Sequence, residues 1–347
     1  MKSLFKSVGR IVIGLSLVLL GASASADRLR GSVEPVKADK PYRIGVTVVH
    51  FVDDYWKGIS YGLVEEAKEA GVEIVRLFAA GGYGKIAEQI AQLETLSTLD
   101  VDAVILGATN FNGYDRVIKR LTDKGIAIVA AGVPVNSDLV TMGVTMDEVA
   151  IGSTLAGYVC KQNSNAQVLT IPGPSGPAWN KLRFDGFEAG AKDCPGMVLH
   201  GNVFKGDTKI EDGQSQGSDL LIKHPEATHI YAAAANLGTG AALAAKRIGS
   251  DAKVVTATVT SKTVELMKEG RIAMVISEPG VLIGRSLIQY TTRVLNKNEL
   301  PNLVSGGPIP YQQFLIPLFQ LTSENVDSYE LSLYDQPPAD WHIPSFN

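Results

Sequence analysis

Residues able to do covalent chemistry are few in this sequence and poorly spaced for it. Gly213-Gln214-Ser215-Gln216-Gly217 has the G-x-S-x-G form of a hydrolase nucleophile elbow, but that turn needs a strand directly before the serine. Here the polar run KGDTKIED precedes it, so Ser215 reads as part of a solvated first helical turn. The segment Gly81-Gly82-Tyr83-Gly84-Lys85 has the look of a phosphate loop. It lacks the first glycine at the required distance from Gly84-Lys85, and Ile86 replaces the needed Ser or Thr. His224 and His229 flank Pro225 at a spacing unsuited to one helix face, and five histidines and two cysteines make no metal-ligand cluster. These signals argue against an enzyme, a nucleotide site, a metal or any other cofactor.

Aromatic and acidic residues in turns carry the stronger signal. Tyr55 and Trp56 stand side by side behind Asp53 and Asp54, and Tyr83, Phe111, Tyr114 and Trp179 lie beside Gly, Asn or Pro. Core aromatics belong to the apolar stripe of a helix or strand, whereas these fall between elements. Two readings of each ring stay open: packing, or the wall of a pocket. As walls, ring faces suit methylated ammonium groups, whose positive methyls favour the negative face of a π system. Asp53 and Asp54 either complement such a charge or cap the helix that starts near Tyr55.

The elements that must position these turns alternate regularly. YRIGVTVVHFV, VEIVRLFAA, VDAVILGAT and IAIVAAGVPV read as strands, and the segments between them have apolar residues at helical spacing. The strands are near-continuous apolar runs, as expected where both faces of a parallel sheet are buried. The pattern restarts with the helix MDEVAIGSTLAGYVCKQ and runs through AQVLTIPG, MVLHGNVF, ATHIYAAAA, AKVVTATV and RIAMVISEP. The fold class is therefore α/β, with two doubly wound parallel-sheet lobes. Ligands of open parallel sheets bind beyond the carboxyl ends of the strands, and that is where the aromatic turns fall. From Leu321 onward no periodicity is evident, and the segment reads as a surface tail.

Composition limits the class further. The chain has 347 residues and a net charge of −4. Lys2, Lys6 and Arg10 precede the apolar run from Ile11 to Gly21, and Ala24-Ser25-Ala26 is an A-x-A cleavage pattern. Residues 1–26 read as an export signal; an uncleaved anchor is the alternative, though the run is short of the ~20 residues that span a bilayer. Cleavage removes three positive charges and leaves about −7, a poor balance for nucleic acid. In an oxidising compartment Cys160 and Cys194 can form one disulfide, the alternative being two buried thiols. About 320 remaining residues exceed what one core usually accommodates, which again gives two lobes.

Over nearly this whole span the chain resembles the periplasmic binding proteins of the ribose-binding type and the related repressor ligand domains. YRIGVTV with Tyr55-Trp56, IAQLETLSTLDVDAVILGAT, KGIAIVAAGVPV, IPGPSG followed by RFDGF, LIKHPEATHIYAAAAN and EGRIAMVISEP carry the resemblance. It implies a type I binding-protein fold hinged between 42–144 plus 278–308 and 145–277 plus 309–318, with 319–347 as a tail. The departures bear on the ligand. Asn236 matches the family's Asn-Asp sugar turn, but Leu237 stands where the acid belongs. Ala131-Gly132 and Thr258 replace two further sugar-binding acids, while Arg183 of R-x-x-G-F is kept. A narrower resemblance, through DDYWKGISYG, GGYGK, PGPSG and KHPE, is to periplasmic sensors of trimethylamine N-oxide that work with a membrane histidine kinase in a two-component system. It implies that Trp56 and Tyr83 wall the ligand pocket, with Tyr55, Asp53 and Asp54 as neighbours and with weaker roles for Trp179, Asn236 and Thr258. The orientation of Trp56, toward the cleft or inward, stays open.

Overall fold

The computed structural model describes residues 28–306 and 308–346; the expected export signal at 1–26 lies outside them. The first lobe is a seven-stranded sheet in the order β11-β12-β5-β4-β3-β1-β2, where β1 is Arg43–Val48, β2 Glu73–Ala79, β3 Ala103–Leu106, β4 Ala127–Ala131, β5 Met142–Thr145, β11 Leu303–Gly306 and β12 Ile309–Leu315. The second is six-stranded in the order β13-β10-β9-β8-β6-β7, with β6 Gln167–Ile171, β7 Val198–His200, β8 His229–Ala232, β9 Lys253–Ala257, β10 Ile272–Ser277 and β13 Phe319–Leu321. All pairings are parallel except β11 with β12 and β10 with β13. The apolar runs become central strands: every residue of β3, β5 and β8 is buried. Two α/β lobes follow, as the alternating pattern implies.

Between the strands run α1 (Asp54–Ala70), α2 (Ile86–Leu96), α3 (Asp115–Thr122), α4 (Glu148–Gln162), α5 (Ala178–Lys192), α6 (Ile210–Lys223), α7 (Ala235–Ile248), α8 (Ser261–Lys268) and α9 (Gly280–Asn296), with a short α10 (Leu331–Tyr334) near the end. Helix pairs approach closely at glycine. A Cβ on Gly62 of α1 would lie 2.1 Å from the Val281 carbonyl oxygen of α9, and one on Gly284 would lie 2.1 Å from that of Ile59. The G-x-S-x-G segment owes its glycines to the same cause. Gly213 and Gly217 face Leu237 and Ala241 of α7, and Ser215 points to solvent within α6. No strand precedes it, so it is a helix-packing face.

The chain crosses between lobes from β5 into α4, from β10 into α9, and from β12 to β13. The boundaries expected from the sequence need correction here. Residues 309–315 are not part of the second lobe: β12 pairs with β5, with Phe314 opposite Val144, and its alternating burial fits a strand near the sheet edge. Nor does a tail begin at 319, because β13 adds an antiparallel edge to β10. β5 was not legible in the sequence. Met-Gly-Val-Thr is too short to show a period and merges with the helix start behind it.

The final segment also does more than run over the surface. Val326, Tyr334 and Asp335 are buried. The Asp335 carboxylate accepts hydrogen bonds from the Ser277 hydroxyl at 2.9 Å and the Tyr329 hydroxyl at 2.5 Å. Gln336 accepts from Ser261 of the second lobe at 3.0 Å and donates to Asp54 of the first at 2.5 Å. Trp341 then packs edge-on to Tyr61 of α1. The tail is a strap from one lobe to the other.

Cys160 and Cys194 are bridged, with Cα atoms 5.9 Å apart. The bond ties the last turn of α4 to the residues just after α5, within the second lobe. Among the described residues no helix is long and apolar enough to cross a membrane.

Candidate binding site

The strands of both sheets end at one cleft, and a cavity of about 40 Å³ lies there. That is room for roughly three water-sized groups. The first lobe supplies Asp53, Asp54 and Tyr55 from the start of α1, and Tyr83 from the turn after β2. The second supplies Trp179 and Arg183 from α5, Asn236 from α7 and Thr258 after β9. Glu148 and Glu278 come from two of the interlobe crossings.

The start of α1 explains how two adjacent aromatics part company. Asp53 is the N-cap, its Oδ1 accepting from the Trp56 backbone N–H at 3.0 Å. Successive helical residues are about 100° apart, so Tyr55 and Trp56 take different faces. Tyr55 borders the cavity. Trp56 is fully buried in the first-lobe core, where a Cβ on Gly107 would come within 2.6 Å of its ring. Trp56 is therefore not a wall of the cavity, contrary to the sequence expectation. Its indole N–H meets no acceptor at hydrogen-bonding geometry, although it is near enough to favour the Tyr83 phenolate slightly. Tyr114 is likewise core, bonded to Gln89 and Thr109, and Phe111 lies outside the cavity. Tyr83 and Trp179 do meet across the cleft, with ring centroids 5.9 Å apart and planes tilted by 44°.

The charged centre of the site joins Arg183 to two acids, Glu148 and Glu278, that nothing in the sequence marks out. Arg183 is fully buried between two carboxylates. Its Nε donates to Glu148 Oε2 at 2.9 Å, its Nη2 to Glu278 Oε1 at 2.5 Å, and its Nη1 to the Ala233 carbonyl at 2.6 Å. Glu278 also accepts from the Thr258 hydroxyl. Burial opposes the Arg183 charge, but Glu148 and Glu278 outweigh it and hold the guanidinium above its ordinary range. One cation cannot neutralise two buried carboxylates. Burial, only partly offset by Arg183, pushes Glu148 up to about 8. Asp53 is also raised, by burial against the opposing pull of His50, whose Nε2 is 3.5 Å away. Burial raises the hydroxyls of Tyr55 and Tyr83 well above the usual phenol range, so both stay protonated.

Three buried polar atoms of lining residues have no protein partner: the Tyr55 hydroxyl, the Trp179 indole N–H and Glu148 Oε1. Such atoms are costly unless something fills the site. Asn236 donates to the Thr208 carbonyl at 3.2 Å. Thr258 sits at φ 70° with its hydroxyl turned to Glu278, so it holds the acid in place. The arrangement offers ring faces, two fixed donors and an acidic excess, and no nucleophile paired with a base.

A profile of the periplasmic binding protein domain family matches residues 44–299. The chain belongs to that family. Periplasmic binding proteins bind ligands and are not enzymes, in keeping with the chemistry of the cleft. Among relatives, this periplasmic binding protein is 25% identical over 330 residues to the periplasmic protein TorT of Escherichia coli K12, covering 90% of each chain. It is 22% identical over 310 residues to the ribose import binding protein RbsB of Bacillus subtilis 168, covering 87% of this chain and 97% of the relative. Among solved structures it resembles a sugar ABC transport system substrate-binding protein from Bordetella parapertussis 12822. That likeness has a TM-score of 0.88 and 38% identity over 91% of this chain and 100% of the other.

Proposed function

We propose that this periplasmic binding protein is an exported sensor of trimethylamine N-oxide, or a closely similar methylated amine. It signals to a TorS-like membrane histidine kinase of a two-component system controlling anaerobic respiration. The observation that carries the reading is the small cavity closed by Tyr83 and Trp179, with Tyr55, Trp179 and Glu148 each presenting a polar atom that has no protein partner. The three polarised methyls of the ligand suit the ring faces. Its single oxygen needs donors. The Tyr55 hydroxyl, the Trp179 N–H and a protonated Glu148 carboxyl supply them. A hexose fits worse, since three of the family's sugar-binding acids are replaced by Leu237, Ala131-Gly132 and Thr258. The likeness to TorT over 90% of both chains supports the kinase partner.

The 38% identical Bordetella protein favours a second reading, a transporter-associated receptor for a small polar solute. Association of the purified protein with the periplasmic sensor domain of its kinase separates the two. A sensor must bind that domain differently when loaded, by about fivefold or more. Equal affinity with and without trimethylamine N-oxide, together with unchanged kinase activity of the complex, would remove the signalling role.

A further inference from the structure

Away from the cleft, three potential metal donors converge that are scattered in sequence. His200 ends the edge strand β7, His224 caps the carboxyl end of α6, and Glu226 lies in the turn before β8. His224 and Glu226 sit where the strands of the second sheet begin, away from the ligand cleft, and the His200 ring reaches back to Gln167 at the start of β6. The two imidazoles stack with centroids 4.1 Å apart and planes 27° apart. One donor atom from each of the three residues lies within 4.8 Å of the others. We propose that His200, His224 and Glu226 bind a divalent transition metal of the zinc class.

The outer contacts fit that role. A metal-binding imidazole ordinarily donates its second ring N–H to a carbonyl or carboxylate, which fixes the tautomer. His200 Nε2 is 2.9 Å from Gln167 Oε1, an atom that can only accept. With its proton on Nε2, His200 would leave the Nδ1 lone pair for a metal. Glu226 Oε1 is 3.2 Å from His224 Nδ1, and its carboxylate is exposed and free to turn. Zinc–nitrogen bonds of about 2.1 Å put neighbouring ligand atoms of a tetrahedral ion about 3.4 Å apart. A metal lies in the plane of each imidazole that binds it, so joint ligation requires the two rings to rotate out of the observed stack as well as to close the 4.8 Å separation. The donor set also selects the ion: two imidazoles and one carboxylate suit Zn²⁺, Ni²⁺ or Cu²⁺, whereas Ca²⁺ and Mg²⁺ need more oxygen ligands.

The test uses the full exported chain without a histidine tag, stripped with chelator and titrated with Zn²⁺ alone by calorimetry. One ion per chain at micromolar affinity is expected. His200→Ala and His224→Ala should each weaken binding at least about tenfold, as should removal of the outer contact by Gln167→Ala. Glu226→Gln, at an exposed position that cannot unfold the lobe, should also weaken it. No binding below millimolar Zn²⁺ would overturn the proposal, as would stoichiometric binding unchanged in the His200→Ala/His224→Ala double variant. Neither result depends on the identity of the cleft ligand.

Discussion

At the residue scale, the site turns on which way neighbouring side chains face. The sequence pointed to Trp56 as a wall and Tyr55 as its neighbour, and the structure reverses them, because the helix phase depends on which of Asp53 and Asp54 is the cap. With Asp53 capping, Trp56 is core. Trp56→Ala should therefore cost about 3–5 kcal/mol of stability, read by chemical denaturation. Tyr83→Ala should leave the fold intact and weaken ligand binding by on the order of 2 kcal/mol, about thirtyfold in Kd; Trp179→Ala should weaken binding similarly and also cost stability, because its ring is buried. The charged centre was illegible for a different reason. Glu148 reads as an ordinary acidic residue at a helix start and Glu278 as part of a turn, and only tertiary structure brings both to Arg183. Burial pushes the Glu148 carboxyl up to about 8, and in the proposed site its protonated form would donate to the ligand oxygen. Trimethylamine N-oxide affinity should then fall as pH rises through about 8, and Glu148→Gln, which keeps a donor, should flatten that profile. An affinity that instead rises with pH would point to a cationic ligand.

At the scale of elements, buried strands and amphipathic helices were readable because apolar runs and helical spacing span many residues. The pieces that escaped are short or near an edge. β5 has four residues, β13 has three, and β12 follows a hairpin after the sequence has already visited both lobes. The disulfide is the element-scale feature that both descriptions share. Closing a 34-residue separation between α4 and α5 stabilises by about 3–4 kcal/mol in the chain-entropy account. Cys160→Ser/Cys194→Ser should lose roughly that amount in denaturant melts under oxidising conditions. Melts superimposable on the wild type would show that the bridge contributes nothing.

For the whole molecule, two lobes were legible from the restart of the βα pattern, but the strap that joins them was not. Its buried residues are single and widely spaced, so no periodicity announces them. Asp335 anchors the strap, and burial raises its carboxyl from an ordinary 3.8 to about 7. Between those values the folded chain holds a proton that the unfolded chain has released. Stability from this group is thus greatest at the acid end and is lost as pH rises toward 7. Glu148, raised in the same direction, adds to the trend. Thermal melts from pH 5 to pH 8 should show a falling midpoint, with a shallower slope in Asp335→Asn.

The proposed function requires a small, aromatic, amine-oxide site in the interlobe cleft. Calorimetry of the purified protein near pH 7 against trimethylamine N-oxide and against ribose tests it most directly. Saturable one-to-one binding of the amine oxide, with no heat from ribose, is the expected result. Tight ribose binding with no response to trimethylamine N-oxide would contradict it.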